Sequence, residues 1–270
     1  MNTKNNNAPL GIFDSGVGGL TVVKEINKIL PNENLIYFGD TKHVPYGDKS
    51  KETIIYYSKQ ITEFLIKENC KAIVIACNTA TANAHKDIVE LAKKFKIPVF
   101  DVITPVAEKV GLELNQKIGV IATKGTINSG IYKKKIKKFN KSIEVLELAT
   151  SLLVPIIEEG LVNSDISKET IKYYLANKKL SNIDALILGC THYPLISKEI
   201  NKYFNGNVKI IDSPLIVANQ IQYYFKKNNL LSDNTNKGDL KFYLSDYTNN
   251  FEKLAKKFFG NEIYLTEIKL

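Results

Sequence analysis

The stretch Ala72-Ile73-Val74-Ile75-Ala76 is apolar without interruption and stops on Cys77-Asn78-Thr79-Ala80-Thr81-Ala82. A run this short, β-branched and lacking alternation predicts a strand covered on both faces, which is the habit of parallel sheets. The small residues after Thr79 then suit a helix folding back over it. Cys77 is therefore expected at the carboxyl end of a parallel strand, where loops and helix N-termini of an open α/β sheet converge on ligands. The same design returns at Ala185-Leu186-Ile187-Leu188-Gly189-Cys190-Thr191-His192. Segments 72–82 and 185–195 form a weak internal repeat, with a cysteine at the end of each strand.

The rest of the chain alternates in the same way. Leu10 to Phe13 predicts a strand that ends in Asp14-Ser15-Gly16-Val17-Gly18-Gly19, before an amphipathic helix over Leu20 to Leu30. Strand 34–38 leads into the turn-rich loop Gly39 to Asp48 and a helix over Lys51 to Glu68. Strand 72–76, a helix to Lys94 and the short strand Val99-Phe100 follow. Past Asp101 the pattern restarts with strand 118–121, a helix over 126–139, strand 143–146, helices near 153–159 and 168–176, and strand 185–189. A helix after Pro194 and strand 208–211 complete this second series. Beyond Asp212, a helix to Lys227, a strand at 240–243, a helix near 251–258 and a strand near 263–265 fit either sheet. Such β-α alternation argues for parallel sheets. No Gly- or Ser-rich linker divides the 270 residues. Two doubly wound α/β lobes, joined by short crossings near 101 and 211, are expected, with a cleft facing both cysteine-bearing strand ends.

Composition narrows the chemistry. All 37 basic residues are Lys, and the net charge is +9. A nucleic-acid partner is disfavoured, because base readout leans on bidentate Arg and these lysines are spread along helical stretches, with Lys133-Lys134-Lys135 and Lys137-Lys138 the one dense cluster. A carboxylate ligand would have to be held by backbone N–H groups, hydroxyls, amides or Lys instead of a guanidinium fork. No stretch approaches the roughly 18 apolar residues of a membrane helix, and the Asn-rich start has no apolar signal core, so a cytoplasmic location is expected. Three cysteines in such a setting suggest thiol chemistry or burial rather than a disulfide framework, and no C-x-x-C pair marks a zinc site.

Two thiols on opposite sides of one carbon can remove a proton from one face while the other face receives one, which inverts a stereocentre. A thiol of pKa about 8.5 needs a neighbour that takes or offsets its proton. His192 is two residues from Cys190, and Asp14 occupies an equivalent strand end in the first lobe. Burial is the competing role for each cysteine, and Cys70, ahead of its strand, keeps it. The Asp14 to Gly19 turn fails as a dinucleotide fingerprint, since the third glycine position falls on Thr21 and Asp14 would face the pyrophosphate. Ser15 and these amides suit a small anion at a helix N-terminus instead. His43 and His85 read as surface or helix histidines. A zinc site built from Cys77, Cys190, His192 and Asp14 lacks any spacing signature.

Six stretches in order, Gly11 to Leu20, Pro45-Tyr46-Gly47, Ala76 to Ala80, Gly119 to Thr126, Val154 to Gly160 and Leu188 to Leu195, resemble the ordered motifs of the bacterial glutamate racemase family. The resemblance spans nearly the whole chain after its start. It implies cofactor-independent interconversion of L- and D-glutamate, supplying D-glutamate for peptidoglycan, by a homodimeric enzyme of two pseudo-symmetric lobes. It implies residues 1–101 plus 211–270 as the first lobe, with a flexible tail over 1–8, and 102–210 as the inserted second. It maps the catalytic cysteines to Cys77, acting on D-glutamate, and Cys190, acting on L-glutamate. Supporting acid–base residues map to Asp14 beside the first, and His192 with Glu158 beside the second. Substrate contacts map to Ser15, Pro45, Tyr46, Gly47, Asn78, Thr79, Thr123, Thr126 and Thr191, together with Asp14 and His192, and no metal is implied. Ser151-Leu152 and Asp212-Ser213-Pro214 depart modestly from the family pattern. An aspartate racemase of the same superfamily and a two-lobed binding module are the alternatives.

Overall fold

The computed structural model describes residues 5–114, 117–260 and 263–270. The first series comprises β1 (Leu10–Asp14), α1 (Leu20–Ile29), β2 (Leu35–Gly39), α2 (Lys51–Lys67), β3 (Ala72–Ile75), α3 (Asn78–Lys93), β4 (Val99–Asp101) and α4 (Thr104–Glu113). The second comprises β5 (Lys117–Ala122), α5 (Lys124–Ser129), α6 (Ile131–Phe139), β6 (Glu144–Ala149), α7 (Leu153–Glu158), α8 (Asp165–Leu175), β7 (Ala185–Gly189), α9 (Ser197–Tyr203) and β8 (Lys209–Ile211). α10 (Ser213–Lys227), β9 (Leu240–Leu244), α11 (Asn249–Phe259) and β10 (Leu265–Glu267) close the chain.

All strand pairings are parallel. One sheet has six strands in the order β10-β9-β2-β1-β3-β4, and the other has four in the order β6-β5-β7-β8. The inner run β2-β1-β3-β4 is thus repeated, strand for strand, by β6-β5-β7-β8. The order places β3 beside β1 and β7 beside β5, with Phe13 level with Ile75 and Ile121 level with Leu188. The loops after β1 and β3 therefore emerge side by side, as do those after β5 and β7.

The unbroken apolar runs have the predicted cause. In β3, Ala72 and Val74 face one core while Ile73 and Ile75 face another, and both are fully buried. Burying each such Ile or Val is worth about 2 kcal/mol, more than the roughly 1 kcal/mol net of one loop hydrogen bond. Strand burial, rather than loop bonding, anchors the residues that follow. The lobes meet through α3 packed on α5, and α4 lies against both α6 and α10.

Several local expectations differ from the structure. The helix expected over 126–139 is two helices, because Gly130 sits at φ +62 between them, a left-handed conformation suited to glycine. α4 has no sequence expectation at all. Pro105 opens its first turn, and its N-terminus is satisfied from outside by Asp101, whose Oδ1 accepts from the N–H groups of Ile103 (2.8 Å) and Thr104 (2.7 Å). α8 starts at Asp165 rather than 168, because Ser164 Oγ caps it by accepting from Ser167 N–H at 3.2 Å. Of the flexible tail expected over 1–8, residues 1–4 lie outside the described residues. Asn6 and Asn7 are tied down: the Asn6 carbonyl accepts from Lys71, and Asn7 Oδ1 accepts from Ser232 Oγ and Asp233 N–H, each at 3.0 Å. Among the described residues, no helix is long and apolar enough to cross a membrane.

Candidate active site

At the end of β1, Asp14 is buried and its Oδ2 accepts from Gly19 N–H at 2.7 Å, while Oδ1 has no partner among the described residues. Gly19 permits this closeness, since a Cβ there would lie 2.5 Å from Asp14 Cβ. Next to it, Cys77 caps α3, its Sγ accepting from Ala80 N–H at 3.4 Å and its thiol directed at Ser15 Oγ, 3.6 Å away. Burial and then the Asp14 charge push the Cys77 thiol well up. Burial likewise raises Asp14, against the lowering effect of the His192 charge and of bonds from Gly19, Cys77 and Ser15. Both groups of this pair thus favour holding a proton.

The second half is built differently. Cys190, just past β7, has His192 Nδ1 3.7 Å from its Sγ, and the far ring nitrogen Nε2 is 2.9 Å from Glu158 Oε1. Burial alone would lower His192, but the bonds and charges of Cys190 and Glu158 outweigh it and hold the imidazole well above its usual value. A protonated ring is therefore held between sulfur and carboxylate. The first lobe reaches over to support it: a side chain at Gly18 would collide with Thr191 and the His192 ring, and Thr21 Oγ1 donates to the Thr191 carbonyl at 3.2 Å.

Between the lobes lies a cavity of about 230 Å³, smaller than the roughly 300 Å³ at which sites for drug-sized ligands begin. Its wall includes Asp14, Ser15, Pro45, Tyr46, Gly47, Cys77, Asn78 and Thr79 from the first lobe, and Thr123, Glu158, Cys190, Thr191 and His192 from the second. Every residue singled out from the sequence is there except Thr126. That residue is fully buried behind the wall, its hydroxyl 3.1 Å from that of Thr123 and 3.4 Å from that of Thr79, while Thr79 and Thr123 hydroxyls lie 2.8 Å apart across the lobes. Thr126 thus stands directly behind two wall residues. Glu159 also reaches the wall, but Glu158 is the one bonded to His192.

Other parts of the site carry no sequence signal. Asp40, buried at the end of β2, accepts from Tyr46 Oη at 2.6 Å, from Ser245 Oγ at 2.8 Å, and lies 2.7 Å from His43 Nδ1. The pattern groups Tyr46 with its proline and glycine but says nothing of a carboxylate holding its hydroxyl. In the second lobe, Thr150 is matched with Tyr193 Oη at 2.7 Å, and Tyr132 Oη donates to Asn78 Oδ1 at 2.8 Å. Lys124 is the lysine on the wall, facing four carboxylates, Asp14, Asp48, Glu158 and Glu159. Among the described residues, no group of three or more His, Cys, Asp or Glu side chains is arranged to hold a metal ion.

Two similar strand-end loops, each carrying a thiol with its own acid–base partner, thus close on one small cavity. Residues 11–221 match the model of the Asp/Glu/Hydantoin racemase family. The chain belongs to that family. It is 45% identical to the glutamate racemase of Thermoanaerobacter sp. (strain X514) over 256 residues, 94% of each chain. It is 42% identical to that of Aquifex aeolicus over 255 residues, 94% of this chain and 95% of the other. Among solved structures, glutamate racemase from Francisella tularensis in complex with D-glutamate superposes with a TM-score of 0.91 at 43% identity, covering 98% of each chain. Escherichia coli glutamate racemase, solved with L-glutamate and the activator UDP-MurNAc-Ala, gives 0.76 at 26% identity, covering 97% of this chain and 98% of that one. As a member of the Asp/Glu/Hydantoin racemase family the chain is an isomerase, and its two parallel-sheet lobes have the architecture of these racemases.

Proposed function

We propose that this racemase interconverts L- and D-glutamate without a cofactor, through proton transfer between two thiols, and supplies D-glutamate for peptidoglycan. The observation that carries the reading is the meeting of Cys77 and Cys190, one from each lobe, on the wall of a single small cavity. The full-length likeness to glutamate racemases supports the substrate. So does the wall itself, where hydroxyls, amides and one lysine stand ready for carboxylates in a chain without arginine.

In the L-to-D direction, the Cys190 sulfur, supported as an anion by protonated His192, takes the α-proton. The electron pair left on the α-carbon delocalises into the adjacent carboxylate, and the Cys77 thiol delivers its proton to the opposite face. One C–H bond breaks, one forms, and each sulfur has exchanged its protonation state with the other. The reverse direction starts with Cys77 as the base, for which Asp14 is the acceptor of the thiol proton. Positioned acid–base groups of this kind contribute about 10²–10⁴-fold each, and displacement of water from so small a cavity by the substrate strengthens every charge interaction within it.

The test is incubation of the purified protein with L-glutamate in deuterated water, with no cofactor added, following optical activity and α-deuterium together. Loss of optical activity with deuterium entering the α-position is the expected result, with the loss of optical activity abolished in both Cys77→Ser and Cys190→Ser. Exchange with aspartate but not glutamate would move the substrate and keep the chemistry. Binding of glutamate without exchange would leave a two-lobed binding module and remove the enzyme mechanism.

A further inference from the structure

Four tyrosines, Tyr37, Tyr46, Tyr132 and Tyr193, are among the largest fully buried side chains, and each directs its hydroxyl to a loop around the cavity. Tyr37 donates to the Gly16 carbonyl, Tyr46 to Asp40, and Tyr193 pairs with Thr150, each within its own lobe. Tyr132 differs by crossing between lobes. Its ring, on α6, lies under the strand end that carries Cys190, where a Cβ on Gly189 would be 3.1 Å from Tyr132 Cε2. Its hydroxyl donates at 2.8 Å to Oδ1 of Asn78, the residue after Cys77.

Asn78 is 3% exposed and lines the cavity, and among the described residues its Nδ2 has no partner. A buried amide donor left unpaired is costly, on the order of 1–3 kcal/mol, and a carboxylate oxygen is the acceptor that removes the deficit. With the amide reversed, Asn78 would turn its own oxygen toward that carboxylate; Nδ2 could still donate to the Tyr132 oxygen, but the buried Tyr132 O–H would lose Oδ1, its acceptor, and that loss opposes the reversal. Burial, followed by the charges of Asp101, Cys190 and Asp212, pushes the Tyr132 hydroxyl up, so it remains a donor.

We propose that Tyr132 is a positioning residue for substrate binding: its hydroxyl, reaching across the lobes, locks the Asn78 amide with Nδ2 presented to a substrate carboxylate. This rests on the reading above that the substrate is glutamate. The hydroxyl adds nothing to the packing that a phenylalanine ring would not supply, and its role is to select one of two amide orientations.

Racemisation of glutamate by the unaltered protein is measured first, and its absence would remove the glutamate reading and this one with it. Given turnover, Tyr132→Phe is expected to raise KM for both enantiomers about tenfold, with kcat changed by less than about twofold and Tm lowered by about 3 °C. Asn78→Ala is expected to raise KM to a similar degree and to make Tyr132→Phe silent when the two are combined, since no amide is left to orient. Asn78→Asp keeps the acceptor for Tyr132 but loses the donor, and is expected to weaken binding at least as much as Asn78→Ala. An unchanged KM in Tyr132→Phe would overturn the proposal, as would the same rise in the Asn78→Ala background, which would assign Tyr132 to packing. Should Tyr132→Phe not fold, an unchanged KM in Asn78→Asp overturns it alone.

Discussion

The ends of β3 and β7 occupy the same place in two equivalent sheets, yet their chemistry differs. At Cys77 the partner is a carboxylate raised by burial, and the thiol is raised as well. At Cys190 the partner is an imidazole that keeps its proton because Glu158 backs it. The first half sets two raised groups side by side, while the second sets a raised imidazole beside its sulfur. The same contrast recurs one strand along. Asp101, closing β4, is held down to about 2: burial would raise it, but His85, Thr104 and backbone N–H groups outweigh that. Asp212, just past β8, is raised to about 6 by burial and the charge of Glu25, against one lowering backbone bond, and its Oδ1 has no partner among the described residues. Equivalent position in the fold sets where a side chain sits, while its immediate neighbours decide which protonation state it keeps.

The sharpest way to break the comparison is to disable one half at a time. Each Cys→Ser variant is expected to lose racemisation by about 10³-fold or more. Cys190→Ser should still exchange the α-proton of D-glutamate for deuterium without inversion, and Cys77→Ser that of L-glutamate. Loss of exchange with both enantiomers in either variant would show that the halves do not act independently. Asp14→Asn comes next, with kcat/KM falling about 10²-fold. The enantiomers have equal free energy, so kcat/KM must fall equally in both directions, and any asymmetry should appear only in kcat and KM taken separately.

Glu158→Gln is expected to lower kcat/KM about tenfold and to lower the His192 titration midpoint read by ring NMR. Because His192 is raised above 6.5 in the folded state, its contribution to stability is fully present below that value and is lost as pH rises through the raised one. The variant should therefore be destabilised most near pH 6, with the difference fading toward alkaline pH. The smallest effect is at Asp212→Asn, outside both thiol pairs. A folded value near 6 against 3.8 means stability falls as pH rises between the two, by on the order of 2 kcal/mol. Removing the charge should raise Tm by about 5 °C near pH 7, fade below about pH 4, and leave kcat unchanged.

What the sequence reveals follows from the range of the forces involved. Strands such as β3 and β7 are legible because burial on both faces imposes an apolar run that contains its own explanation. The two cysteines, Asp14 and His192 are legible because they follow those runs at once. α4 is not, since the residue that caps it, Asp101, belongs to the preceding strand, and Pro105 masks its start. Thr126 enters the expected substrate contacts through the family resemblance alone, and its complete burial behind Thr79 and Thr123 has no mark in the local sequence. Tyr132 sits in a lysine-rich stretch with nothing local to mark it, because its partner is 54 residues away in the other lobe.

The repeated strand order also bears on how one protein treats both enantiomers alike. Two segments of L-polypeptide with the same topology can be brought together only by a rotation, never by a reflection, while the two substrates are related by reflection alone. Turning one lobe onto the other carries Cys77's place onto that of Cys190, which in the proposed mechanism supplies a thiol for each face of a planar carbon. It does not exchange the remaining substituents as a mirror would. The unlike equipment of the two thiols, a carboxylate on one side and a backed imidazole on the other, is what a rotation must add to stand in for a mirror plane.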